Sequence, residues 1–179
     1  RAYALAALYS EAGIPDGVVN VITTTNPGPV TAAMLEDARV RKLSFTGSTP
    51  VGRLLLAQAS KTVLSCSMGL GGNAPFIVFD DADLEAALDG AMLAKMRNGG
   101  EACTAANRFL VQEGIHDRFV EGLTARMKAL KVGPGTDPDT GCGPMITRKA
   151  VDKIEALVAE AVGRGAKVVL GGKGFFFFF

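Results

Sequence analysis

Tryptophan is absent from this chain, histidine occurs once and cysteine three times in 179 residues, and each scarcity narrows what the protein can do. Cys66, Cys103 and Cys142 are an odd and widely separated set, which argues against a disulfide framework and makes reduced thiols the expectation. His116 stands alone, with no cysteine at metal-ligand spacing, so no metal site is expected and the ring is read as a surface residue opening a helix. An excess of either charge is missing too: the net charge is +1 with no basic cluster, which speaks against a nucleic-acid surface. No run approaches the roughly 18 apolar residues that a membrane span needs. The start, Arg1-Ala2-Tyr3-Ala4-Leu5, lacks a secretory pattern, so no membrane association and a cytoplasmic location are expected. What remains is 48% hydrophobic and 21% charged, the balance of a folded chain forming one domain or pieces of two.

The spacing of Leu5, Leu8 and Tyr9 predicts a helix that stops at Gly13; no capping residue precedes it, so the sequence is expected to begin inside a larger protein. Val18 to Ile22 has the β-branched content of a strand, Pro27-Gly28-Pro29 opens a short helix, and Val40 to Phe45 predicts a second strand. A helix carrying Leu54, Leu55 and Leu56 follows, and then a strand from Thr62 to Ser67. The glycines of Met68-Gly69-Leu70-Gly71-Gly72-Asn73-Ala74-Pro75 predict a loop and a change of domain. Phe76 to Phe79 is a fully apolar run of the kind found in buried parallel strands. Asp80-Asp81-Ala82-Asp83 begins a long helix ending near Asn98, and its acids are read as caps rather than metal ligands. A strand at Phe109, a helix from His116 to Lys131, a loop from Gly133 to Gly143, a helix from Lys149 to Val162 and a strand from Lys167 to Leu170 complete the pattern. This alternation predicts an α/β architecture, parallel sheets with flanking helices on both faces. Phe175 to Phe179 is a homopolymer with no structural reading and is treated as an artefact.

Two stretches carry chemistry. In Asn98-Gly99-Gly100-Glu101-Ala102-Cys103 a glycine pair lets the backbone turn sharply and offer peptide N–H groups to a thiolate, although a free cysteine is as readily a small buried hydrophobe. In Thr46-Gly47-Ser48-Thr49-Pro50 a strand runs through a glycine turn into a helix, an arrangement that suits an anion and equally an ordinary turn capped by Ser48 or Thr49.

Taken together, Phe45-Thr46-Gly47-Ser48-Thr49, Leu70-Gly71-Gly72-Asn73-Ala74-Pro75 and Cys103 resemble the aldehyde dehydrogenase superfamily, in its order and at its intervals, over residues 1 to 174. The resemblance implies an incomplete aldehyde dehydrogenase-like fold, with residues 1–69 ending a Rossmann-like cofactor-binding domain and residues 70–174 beginning the catalytic domain. It implies Gly47, Ser48 and Leu70 as contacts to NADP or NAD, Cys103 as the nucleophile toward a small aldehyde, and a homo-oligomer at full length. Arg97, six residues before the cysteine, is similar to the succinate-semialdehyde dehydrogenase branch, where it implies a partner for a distal carboxylate; the alternative is a residue that offsets the helix dipole. One position departs from the pattern. The family's general-base glutamate precedes Leu-Gly-Gly, and here that residue is Gly69. The departure implies impaired hydrolysis, a coenzyme A-acylating branch that needs no such base, a sequencing error or engineered change, or a non-catalytic protein built on the same fold.

Overall fold

The computed structural model describes residues 2–174; the phenylalanine run at 175–179 lies outside them. The chain divides between Gly69 and Leu70 into two compact units. The first contains α1 (Ala2–Glu11), α2 (Pro27–Glu36), β1 (Lys42–Gly47) and α3 (Thr49–Ala59). A 3-10 turn (Ser60–Thr62) then leads to β2 (Ser65–Leu70), which pairs with β1. Leu35, Leu55 and Ala59 are its buried apolar side chains, so α2 and α3 share one small core. The Thr62 hydroxyl donates to the Leu35 carbonyl at 3.4 Å and ties the 3-10 turn to the end of α2.

Two expectations for this unit need correction. Val18 to Ile22 is turn and coil, not a strand. The Val18 N–H donates to Pro15 and the Asn20 side chain to Gly17, so local turns use groups that a strand would offer to a neighbour, and no strand among the described residues lies alongside. In the other direction, β2 runs on through Met68 and Gly69 to Leu70, leaving only residues 71–73 as loop. Pairing with β1 holds a glycine in the strand that propensity alone would place in a loop.

The second unit contains β3 (Ala74–Val78), α4 (Leu84–Met96), β4 (Ala106–Val111), α5 (Glu113–Lys128) and α6 (Arg148–Gly163). β3 and β4 are parallel, with Phe76 opposite Phe109 and Val78 opposite Val111. Val78, Leu88, Ala91, Ile115 and Phe119 form the buried cluster, with Phe76, Phe109 and Val111 packed on it. The ring centroids of Phe109 and Phe119 lie 6.2 Å apart. Both α4 and α5 therefore cover the same face of the strand pair. The expected helices on both faces are not seen here: Ile77 and Leu110, on the opposite face, are 57% and 55% exposed, as is Phe79 just beyond β3. A continuous apolar run thus proves to be half-buried, because the pleat sends alternate side chains to opposite faces.

Asp83, rather than the whole acidic cluster, caps α4; its carboxylate accepts from the Ala86 N–H at 3.1 Å. Arg126 of α5 reaches back to Glu85 at 2.7 Å and Asp89 at 3.4 Å, pinning the two helices together on their solvent side. α5 starts one turn earlier than the periodicity suggests, which leaves His116 in its first turn, exposed and bonded to Asp117. The predicted strand at Lys167 to Leu170 is coil. The α/β class and the parallel pairing are as the alternating pattern implies.

Candidate active site

Cys103 sits on a short loop between α4 and β4. Helix α4 ends at Met96, and Arg97–Gly100 forms a 3-10 turn in which Asn98 (φ 54), Gly99 (φ 64) and Gly100 (φ 82) are all left-handed. Three such residues in succession reverse the chain, and only glycine takes that conformation without strain. Asn98 is the non-glycine best suited to it. The Ala105 N–H then donates to the Ala102 carbonyl at 2.9 Å, closing a turn around Cys103. Ala105 and Ala106 are buried and anchor the start of β4, while Cys103 is exposed. Its backbone N–H has no acceptor among the described residues.

Two side-chain bridges span this loop. Arg97 Nη2 donates to Thr104 Oγ1 at 3.1 Å, crossing from the residue before the turn to the residue after the cysteine. Lys95 Nζ donates to Asn107 Oδ1 at 2.8 Å, and Asn107 Nδ2 passes the connection on to the Gly72 carbonyl at 3.1 Å and to Asn73 Oδ1 at 3.3 Å. Arg108 donates twice to the Asn73 carbonyl, at 3.2 and 2.9 Å. Together these bonds hold the 71–73 loop against the first residues of β4. A side chain on Gly100 would press on Lys95, its Cβ standing 3.2 Å from that residue's carbonyl oxygen.

In the first unit, Gly47 ends β1 and Ser48 is the N-cap of α3. The Ser48 side chain makes no capping bond, and the first turn of α3 contains no acidic residue. The Phe45 ring lies over Gly47, so a Cβ there would meet Phe45 Cζ at 2.5 Å. Gly69 lies in β2, where a Cβ would stand 3.0 Å from Thr46 Oγ1, and Leu70, half-buried, closes that strand. Among the described residues no cluster of histidine, cysteine and acidic groups could hold a metal ion, and no helix is long and apolar enough to cross a membrane. A cavity of about 490 Å³ lies along α6, lined by Met145, Ile146 and Ile154 among others; none of the predicted site residues borders it.

A family model described as aldehyde dehydrogenase family matches residues 1–177. The chain belongs to the aldehyde dehydrogenase family. It is 56% identical over 162 residues to a succinate-semialdehyde dehydrogenase of Paenarthrobacter nicotinovorans, covering 90% of this chain and 36% of that one. It is 51% identical over 174 residues to a 3-sulfolactaldehyde dehydrogenase of Pseudomonas putida, covering 96% and 35%. Among solved structures, an E. coli NADP-dependent enzyme superposes with a TM-score of 0.94 at 50% identity, covering 97% of this chain and 36% of that one. The chain thus spans about 36% of the length of the relatives it matches.

Within this chain, the structure brings Arg97 and Cys103 into one bridged loop and places Gly47 and Ser48 side by side at the start of α3. Sequence reasoning did not single out Lys95, Asn107, Asn73 or Thr104. The polar pair Asn107-Arg108 at the head of an otherwise apolar strand was the available signal.

Proposed function

We propose that this chain supplies the nucleophile and part of the cofactor surface of an NAD(P)-dependent aldehyde dehydrogenase whose substrate is an aldehyde with a distal acid group, succinate semialdehyde foremost. The observation that carries the reading is Cys103: an exposed thiol just after a left-handed turn, with its own N–H free to donate. Residues 1–69 would serve the cofactor and residues 70–174 the chemistry. Two of the relatives named above are a succinate-semialdehyde and a 3-sulfolactaldehyde dehydrogenase, and both of those aldehydes carry an acid group away from the carbonyl.

The residues present fit a nicotinamide dinucleotide. The start of α3 has its N–H groups uncapped by Ser48 and unopposed by an acid, and Gly47, lacking a side chain, makes room for the Phe45 ring beside it. Gly47, Ser48 and Leu70 would hold the cofactor, which when bound accepts the hydride. At the nucleophile, the Cys103 thiolate adds to the aldehyde carbon and the Cys103 N–H donates to the oxyanion that forms. Loss of hydride leaves a thioester on Cys103. Arg97 exposes a guanidinium that pairs with the distal acid of the substrate. Release of the product by water needs a base, and Gly69 has no side chain to provide one. Three unpaired thiols suit a reducing compartment, and the resemblance extends the reading to a cytoplasmic homo-oligomer.

Rapid-mixing kinetics on the full-length protein test the reading. The expected result is a burst of reduced cofactor, stoichiometric with enzyme and abolished in C103A, followed by turnover slowed by about 10² to 10⁴ relative to a glutamate-bearing enzyme. Steady turnover with no burst would refute it. Gly69 also favours a second reading, acyl transfer to coenzyme A, for which adding coenzyme A would speed the slow phase and yield a soluble thioester.

A further inference from the structure

The bridge between Arg97 and Thr104 points beyond the nucleophile to substrate choice. We propose that Thr104 is a specificity-positioning residue: its hydroxyl aims the Arg97 guanidinium and so sets the enzyme's preference for aldehydes ending in an acid group. This rests on Arg97 being the acid-binding group. Arg97 is exposed at the end of α4, and no carboxylate among the described residues pairs with it. Its side chain makes one bond, from Nη2 to Thr104 Oγ1 at 3.1 Å. A guanidinium carries five N–H donors in a planar fork, so a single neutral acceptor leaves enough of the fork to take a carboxylate or sulfonate in parallel geometry.

Left untethered, an exposed arginine samples many rotamers, and ordering it on binding would lower affinity. The Thr104 bond removes part of that freedom beforehand. Threonine suits the task because its branched Cβ restricts χ1 and holds the hydroxyl in a fixed direction. Thr104 is also the residue directly after Cys103, inside the turn closed by the Ala105 to Ala102 bond and anchored by buried Ala105 and Ala106. One loop therefore carries both the sulfur and the residue that directs the acid-binding fork.

Steady-state kinetics on the full-length enzyme with succinate semialdehyde and with butanal, for T104V, T104S and R97M, test this. T104V is expected to raise KM for succinate semialdehyde about tenfold, several times more than for butanal, because it removes a hydrogen bond to a charged group. T104S, which keeps the hydroxyl, should recover most of the difference. Equal effects of T104V on the two aldehydes, or no recovery in T104S, would overturn the proposal. R97M separates the two levels: if R97M is selective and T104V is not, only the role of Thr104 falls. If R97M itself affects both substrates alike, the acid-binding reading of Arg97 falls with it.

Discussion

Position 69 separates the two halves of the proposed reaction, since attack by Cys103 needs nothing from it and deacylation does. A glutamate can be put back. Its Cβ would stand 3.0 Å from Thr46 Oγ1 and 3.7 Å from the Phe45 carbonyl oxygen, so the threonine hydroxyl must yield by a few tenths of an ångström. We expect G69E to convert the burst into steady turnover, with a stability loss of about 1–3 kcal/mol from the crowding. Adding T46A should recover part of that loss. Stopped-flow kinetics and thermal melts of the single and double variants check both points, and an unchanged burst in a well-folded G69E would show that a missing base does not limit the slow step. At this scale Cys103 and Arg97 were marked as candidates in the sequence by the family resemblance. Thr104 was not, because a hydroxyl acquires its partner only when the turn at Asn98-Gly99-Gly100 folds the chain back on itself.

Elements owe their ends to a few side chains. Asp83 caps α4 and Thr147 caps α6, the latter accepting from the Ala150 N–H at 3.2 Å. D83A should lower stability by about 1 kcal/mol, measured by urea denaturation. The link from α2 to β1 carries the Arg39–Asp37 ion pair, from which a pH dependence is expected. The Arg39 guanidinium hydrogen-bonded to Asp37 holds that carboxyl well below its ordinary range, with the Arg39 backbone N–H assisting. Because the folded value is depressed, this contribution is fully present above the ordinary value of 3.8 and is lost as the pH falls below it. Melts of the native protein and D37N from pH 7 to pH 2 should differ most near neutrality and converge in acid. The difference should also shrink with added salt, since the pair is solvent-exposed. Most elements could be read from periodicity. Those that could not, at residues 18–22 and 167–170, share one physical reason: a strand depends on a neighbour, and β-branched composition does not supply one.

At the scale of the whole molecule, each unit has its own core, Leu35, Leu55 and Ala59 in the first and the cluster around Phe119 in the second. Phe119 and Leu88 are the largest fully buried side chains, and they join α4 and α5 to the face of β3 and β4 that bears Phe76, Phe109 and Val78. F119A should lower the stability of the second unit by about 3–5 kcal/mol, seen as a shift in its denaturation midpoint. A smaller shift would mean that neighbouring rings collapse into the space.

The sequence by itself determined the α/β class, the helices, and the family to which the chain belongs, because hydrophobic period and motif order are local properties. Tertiary structure decided what depends on residues far apart in the chain. Pairing of β1 with β2 drew Gly69 and Leu70 into a strand, and one-sided packing of α4 and α5 left Ile77 and Leu110 exposed. The left-handed turn put Thr104 within hydrogen-bond reach of Arg97, and the Asn107 bridge fastened the 71–73 loop to β4. None of these follows from composition or period, since a hydrogen bond needs both of its ends in place.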